Sequence, residues 1–379
     1  MIPTASKKPV TIYDVAKAAG VSRATAAQVC SGKGRISAPT RASVMEAVRA
    51  LGYNPNPHAQ RLASGRCVNT VAVFSMNLDL GVGTRKLKLI QHCLTEMGFD
   101  APIYTYGSYG GGQHVDAAAL IDTACRLQPR ALVCLTPGLP QVIERLRSYQ
   151  EEGGIVVCQT SGKASDGEDD SRFFDCVIHD VEDATYHATR HLLQQGHRSV
   201  GLGIHGLQQH KDPREIGFER ALKEFGLAPK QDWVFSGYLY EDAGMNYGQQ
   251  FLALRERPTA FCMLNDVAAS AFVNEVMRHG VLVPGDLSVA SIDDAPAARA
   301  CAVPLTTVSQ PVQEIASHLL RLLQERLDGT YEGGPRLVMV PGELVERNSV
   351  APPGPVTAQQ KVLSQQTPFV SSALLSERG

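Results

Sequence analysis

The sequence predicts a small all-α helix-turn-helix head followed by an α/β body of two parallel-sheet lobes. Three observations carry this. Residues 10–52 hold three short stretches of helical periodicity around one very tight turn. From Val71 onward, apolar runs of strand length alternate with helical stretches, the pattern of parallel sheets covered on both faces. Charge divides the same way. Residues 1–66 carry ten Lys and Arg against two acids, Asp14 and Glu46, so +8 sits on the head and −10 on the rest of a chain of net charge −2. A basic head on an acidic body selects a polyanion as partner for the head alone.

In the head, Thr11 is placed to cap a first helix whose inward row is Ile12, Val15, Ala16 and Ala19. Gly20 ends it, since a tight turn needs a left-handed residue there. Ser22 caps a second helix with Ala26, Val29 and Cys30 facing inward. After a loop, Ser31–Ile36, Ser37 caps a third, with Val44, Ala47, Val48 and Leu51 on its apolar side. In the body, buried strands are expected at Val71–Phe74, Ala131–Leu135, Ile155–Cys158, Val200–Ile204, Ala260–Leu264 and Leu287–Ile292. Helices are expected at 116–127, 140–150, 183–195, 214–226, 242–256 and 267–279. Some 280 residues exceed one usual core, which divides the body into two lobes. The acidic stretch Gly162–Ser171 reads as an exposed loop, and the Pro-, Gln- and Ser-rich residues 351–379 as a disordered tail. The domain boundaries expected are 1–55 for the head, 56–66 for a hinge, and 67–350 for the two-lobed body.

Composition narrows the class. No apolar stretch reaches eighteen residues and no apolar run precedes Thr11, so neither a membrane span nor a secretory signal is expected. Nine scattered cysteines without C-x-x-C spacing read as reduced thiols of a cytoplasmic protein, with no metal and no cofactor. Gly201–Gly206 matches G-x-G-x-x-G after a strand, but the dinucleotide reading requires a helix to start within it, and Leu207–Pro213 intervenes. His197 is expected to pack ahead of its strand, and His205 and His210 lie in a loop. No P-loop, G-x-S-x-G elbow or metalloprotease helix is present, and no enzyme is expected.

The tight turn sets two helices at a steep angle, so that the second enters a major groove. Its outward residues are Ser22, Arg23, Ala24 and Thr25, then Ala27 and Gln28. Arg23 suits guanine and Gln28 adenine. After Pro57, about two turns of helix ending at Gly65 would not hold alone in water. Paired with a second copy, that segment could wedge Leu62 between base steps in the minor groove; the plainer alternative is a linker with an incidental leucine.

These stretches resemble the lactose-repressor (LacI/GalR) family. The matching segments are V-T-I-Y-D-V-A-K-A-A-G-V-S-R-A-T (10–25), G-K-G-R-I-S (32–37) and A-L-G-Y-N-P-N (50–56). Farther on come L-L-Q-Q-G-H-R-S-V (192–200), R-E-I-G-F (214–218), N-D-V-A-A (265–269), V-P-G-D-L-S-V (283–289), P-L-T-T-V-S-Q-P (304–311) and L-V-E-R-N-S (344–349), all in the same order. The resemblance implies a ligand-responsive, sequence-specific transcriptional regulator, commonly a repressor. It implies a homodimer on a pseudo-palindromic operator in the bacterial cytoplasm, associated with the nucleoid. It also implies a periplasmic-binding-protein-like sensor for a sugar, nucleoside or related metabolite, with interlobe crossovers near residues 162, 293 and 325. Carried over, Ser22, Arg23, Ala24, Thr25 and Gln28 read the major groove, and Ala59 and Leu62 the minor groove. Thr11, Tyr13, Ser31, Tyr53 and Asn56 hold phosphates or pack the head onto DNA. The chain departs from the family in having Ala27-Gln28 where Ser-Arg is common, which implies an altered operator. It also lacks the usual aromatic residues in Ser75–Thr84, which speaks against a typical sugar ligand.

Ligands of open α/β sheets sit beyond the carboxyl ends of strands. That rule selects Asn77, Asp79, Gln159, Thr160 and Asp266. Helix capping is the alternative part for Asp266, a turn for Asp79. The resemblance adds Arg214, Gln208 and Leu239.

Overall fold

A computed structural model describes residues 10–30, 36–53, 69–76, 81–106, 116–137, 139–160, 172–205, 211–237 and 240–354. The chain forms two units, Met1–Val68 and Asn69–Gly379. The first holds the three expected helices, Ile12–Ala18, Arg23–Cys30 and Ala38–Leu51. Each start is fixed locally. The Asp14 carboxylate accepts from the Thr11 amide at 2.8 Å and hydroxyl at 2.7 Å. Ser22 Oγ accepts from the Thr25 amide at 3.1 Å, and Ser37 Oγ from the Thr40 amide at 3.4 Å. Gly20 makes the turn at φ +64°. Val15, Ala16, Ala26, Val29, Val44 and Ala47 form the core, with Tyr53 half-buried against it. These side chains are small, so the helices approach closely. Leu51, expected inward, is exposed because the third helix ends there at Gly52.

The second unit contains two six-stranded sheets. The first runs β11-β5-β4-β3-β1-β2, where β1 is Val71–Met76, β2 Ile103–Tyr106, β3 Ala131–Leu135, β4 Ile155–Thr160, β5 Asp175–His179 and β11 Leu337–Val340. Every pair in it is parallel. The second runs β12-β10-β9-β8-β6-β7, with β6 Val200–Gly203, β7 Val234–Phe235, β8 Ala260–Cys262, β9 Ser288–Asp293, β10 Thr306–Ser309 and β12 Leu344–Val345. Here only β12 is antiparallel. Apolar clusters lie on both faces of each sheet, which explains why central strands such as Val71-Ala-Val-Phe74 are apolar without alternation.

The chain crosses between lobes three times, as expected, but each crossing falls later than expected. It passes after β5 near residue 180, after β10 near 310, and between β11 and β12 at 341–343, rather than near 162, 293 and 325. Each time one further strand joins the lobe before the chain leaves it. β5 is the instructive case: its buried Asp175 reads as a strand breaker, yet two guanidiniums hold it, Arg326 at 2.9 Å and Arg336 at 2.7 Å. The helix Val312–Leu327, absent from the sequence reading, returns the chain to the first lobe and lays Ile315, Leu319 and Leu323 against Val71, Ile90 and Val177. Order also extends past Val350. Ala351 accepts from His197 Nε2 at 2.9 Å and from Ser288 Oγ at 3.0 Å, so the packing part expected of His197 holds. The hinge, residues 162–171 and the tail from 355 lie outside the described residues.

Close backbone approach fixes the second lobe's helices. A Cβ on Gly217 would lie 2.0 Å from the Glu182 carbonyl oxygen, because the helix Pro213–Glu224 packs directly on Val181–Gln194. Gly201 has the same cause, with Phe261 2.3 Å from a built Cβ, so packing accounts for a glycine of the apparent dinucleotide motif. Gly217→Ala is therefore expected to destabilise the second unit by roughly 1–3 kcal/mol in urea unfolding; an unchanged midpoint would show that the two helices separate freely.

Candidate nucleic-acid interface and ligand cleft

On the second helix of the head, Ala26 and Val29 are buried while Ser22, Arg23, Ala24, Ala27 and Gln28 are exposed and Thr25 half-buried. The helical period thus turns every major-groove candidate outward or to the rim. Arg23 donates to Tyr13 Oη at 2.6 Å, and its guanidinium lies 5.2 Å from the Tyr13 ring centroid. Tyr13 is itself 60% exposed. Two candidates from different helices therefore form one polar, cationic tip. Thr25 Oγ1 lies 2.9 Å from Ser22 Oγ. Thr11 is exposed but its hydroxyl is committed to Asp14. Tyr53 packs on the head core, which supports the packing part over a phosphate contact. Ser31, Asn56, Ala59 and Leu62 lie outside the described residues.

In the second unit, polar groups from both lobes meet beyond the carboxyl ends of the strands. Gln159, next to last in β4, is wholly buried, and its Oε1 accepts from Lys86 Nζ at 2.6 Å. The same Nζ donates to Gln310 Oε1, just past β10, at 3.2 Å. Lys86 belongs to the helix Gly81–Glu96 of the first lobe, so its ammonium joins the lobes. Nearby, Gly81 lies close to the second lobe, where a built Cβ would be 3.2 Å from Pro296 Cδ. Asp293 ends β9 at φ +117° and Asp294 follows at +49°. Two successive non-glycine residues at positive φ are strained, and such strain persists where surroundings hold it. Gln310 donates to the Asp293 carboxylate from its side chain and to the Asp293 carbonyl from its amide. Arg347 donates to the Asp294 carboxylate.

Arg214, in the first turn of Pro213–Glu224, reaches the Leu264 carbonyl at 3.3 Å and Asp212 Oδ1 at 3.3 Å. Its charge acts on Asp293, on His179 at the end of β5, and on His205. Burial, with Lys86 and Arg214 close by, lowers His179 to about 4, so its imidazole is neutral at physiological pH. His205 is lowered by burial and Arg214. Burial raises both Asp266 and Asp293, and the Asp293 charge raises Asp266 further.

The structure places Gln159 and Arg214 in this cluster and Thr160 at the end of β4 beside it, and it encloses Asp266. It is fully enclosed, with one carboxylate oxygen bonded to Ser291 Oγ and the other to the Ala295 amide. It ties down the loop after β9, and Asn265 rather than Asp266 caps the following helix. Asp293 is the acid that joins the charged cluster, and the same strand-end rule would have found it. Gln310 stands inside the P-L-T-T-V-S-Q-P segment. Lys86 had its own signal: a lysine in the inward row Val82, Lys86, Ile90, Leu94. Asn77, Asp79, Gln208 and Leu239 lie outside the described residues. Among the described residues no group of His, Cys, Asp and Glu could hold a metal, and no helix is long and apolar enough to cross a membrane.

Residues 11–56 match the model of bacterial regulatory proteins of the lacI family, and residues 189–350 that of a periplasmic binding protein-like domain. The chain belongs to the LacI family. It is 29% identical over 349 residues to the transcriptional regulator DegA of Bacillus subtilis, covering 90% of this chain and 98% of DegA. It is 27% identical over 343 residues to the HTH-type transcriptional repressor PurR of Pectobacterium carotovorum, covering 90% and 97%. Among solved structures, the lac repressor dimer bound to operator and an anti-inducer aligns with a TM-score of 0.76 at 24% identity, covering 91% of this chain and all of that one. A complex of the regulator CelR with cellobiose aligns at 0.65 and 24%, covering 90% and 100%. As a LacI-family member the chain is a DNA-binding transcriptional regulator with a ligand-binding domain, and not an enzyme.

Burial lowers Lys86 from its ordinary 10.5 to about 8, with Asp293 opposing the shift. Between these values the unfolded regulator binds more protons than the folded one, so this group makes stability rise with pH across that window. Relative to Lys86→Met, the native chain should gain up to about 3 kcal/mol of unfolding free energy between pH 8 and 10.5. Parallel pH profiles in urea unfolding would contradict this.

Proposed function

We propose that this regulator is a repressor that binds a pseudo-palindromic operator as a homodimer in the cytoplasm and is controlled by a small molecule held between its lobes. The observation that carries the reading is the outward row of the helix Arg23–Cys30. It sets Arg23 and Gln28, both suited to base edges, on a unit of net charge +8. The relatives PurR and DegA and the operator-bound lac repressor dimer agree with it. In this reading Ser22, Arg23, Ala24, Thr25 and Gln28 enter the major groove, Thr11 and Tyr13 lie against the backbone, and the hinge carries Ala59 and Leu62 into the minor groove. A ligand that binds one lobe arrangement more tightly than another shifts the population between them, and operator affinity follows by the same coupling free energy.

Two measurements test this on a duplex selected by the protein from a random library. Arg23→Ala is expected to weaken binding roughly 10- to 100-fold, as the loss of a bidentate base contact would, and the native protein's affinity should fall steeply with salt. Unaltered affinity with a flat salt response would remove the head from the interface. Leu62→Ala should sharply weaken specific binding while the melting of the second unit stays put; equal affinity would assign residues 56–66 to a plain linker.

A further inference from the structure

Two cations from opposite lobes converge on one buried imidazole. Lys86 comes from the first lobe and Arg214 from the second, and both charges act on His179 and on Asp293. His179 is fully enclosed at the carboxyl end of β5, and neither ring nitrogen has a hydrogen-bond partner of ordinary geometry; the Val340 backbone and the Asp183 charge favour its protonation. Its ring lies against the third crossover, where a built Cβ on Gly342 would be 3.1 Å from Cε1. A buried imidazole left in this condition is costly unless something arrives to complete it.

The cluster also states what should arrive. Lys86 Nζ rests on two neutral amide oxygens, those of Gln159 and Gln310, and a carboxylate would be a far stronger acceptor for it. Asp293 has one oxygen bound by Gln310 and offers acceptor capacity to hydroxyls. A purely anionic ligand would meet the Asp293 charge without compensation, and a purely neutral one would leave Lys86 on neutral acceptors and Arg214 with Asp212 as its carboxylate partner. A molecule carrying a carboxylate and several hydroxyls answers every group.

We propose that the effector is a polyhydroxylated carboxylic acid, a sugar acid, whose carboxylate bridges Lys86 and Arg214 and whose hydroxyls reach Asp293 and His179. This rests on the reading of the interlobe cleft as the effector site. Because the two cations belong to different lobes, the carboxylate itself holds the lobes in one arrangement.

The test uses the full-length regulator with matched probes: D-glucuronate against D-glucose, D-galacturonate against D-galactose, and D-gluconate against D-glucitol. Thermal melting, calorimetric titration and operator binding are read for each, with adenosine and guanosine alongside. At least one acid is expected to bind ten-fold or more tightly than its neutral partner. Lys86→Met should then weaken that acid roughly 10- to 100-fold, as expected for a charge-assisted bond. Lys86→Gln serves as a second variant should the first fail to fold. A neutral sugar or nucleoside that binds as tightly as any acid and changes operator affinity would overturn the sugar-acid assignment and leave the effector cleft standing. An acid bound equally well by the native chain and the Lys86 variants would also overturn it. If no probe changes melting or operator affinity, the assignment and the cleft reading fall together.

Discussion

The ammonium of Lys86 has no satisfactory environment within its own lobe. It leaves water entirely when the helix Gly81–Glu96 packs, and Gln159 supplies only one of the acceptors it needs. The second comes from Gln310 and the compensating charge from Asp293, both on the other lobe. A buried cation with half of its partners elsewhere makes the separation of the lobes depend on charge as well as on apolar contact. Much of the surrounding geometry serves this arrangement. The strained Asp293-Asp294 turn is held by Gln310 and Arg347, and the loop beyond it by Asp266.

The parts of the fold legible in the sequence were those in which one lobe face decided each residue. Ala131–Leu135 is apolar throughout, and Leu287–Ile292 apolar apart from Ser288 and Ser291, because both of their faces are covered, and the head helices show their caps and inward rows directly. The strands that escaped notice carry residues whose reasons lie far away in the chain. Asp175 is tolerable in β5 only because Arg326 and Arg336 arrive from beyond residue 320. In β11, Leu337 and Met339 are 40% exposed at a sheet edge, so the run looks like neither a buried strand nor an alternating one. The crossovers implied by the resemblance fall later here because β5, β10 and β11 each join their lobe first.

The site divides along the same line. Gln159 and Arg214 could be placed from a strand end and a family segment, since each acts close to the element that presents it. Asp266 and Asp293 both follow strands, and nothing local separates the one that ties a loop from the one that faces the cations; the Ser291 and Ala295 hydrogen bonds make that distinction. In the head, the pairing of Arg23 with Tyr13 spans ten residues across the tight turn, so each position was legible as a candidate while their joint tip was not.

The final strands of the body have a consequence for biosynthesis. β11 completes the first sheet beside β5 and β12 completes the second beside β10, and both are emitted from the ribosome only after residue 336. Until then the nascent chain carries two unfinished sheets with open borders at once, the kind of edge that invites pairing with neighbouring chains. Maturation of the two lobes thus waits on residues 337–345, and loss of that one segment would leave both sheets unfinished together.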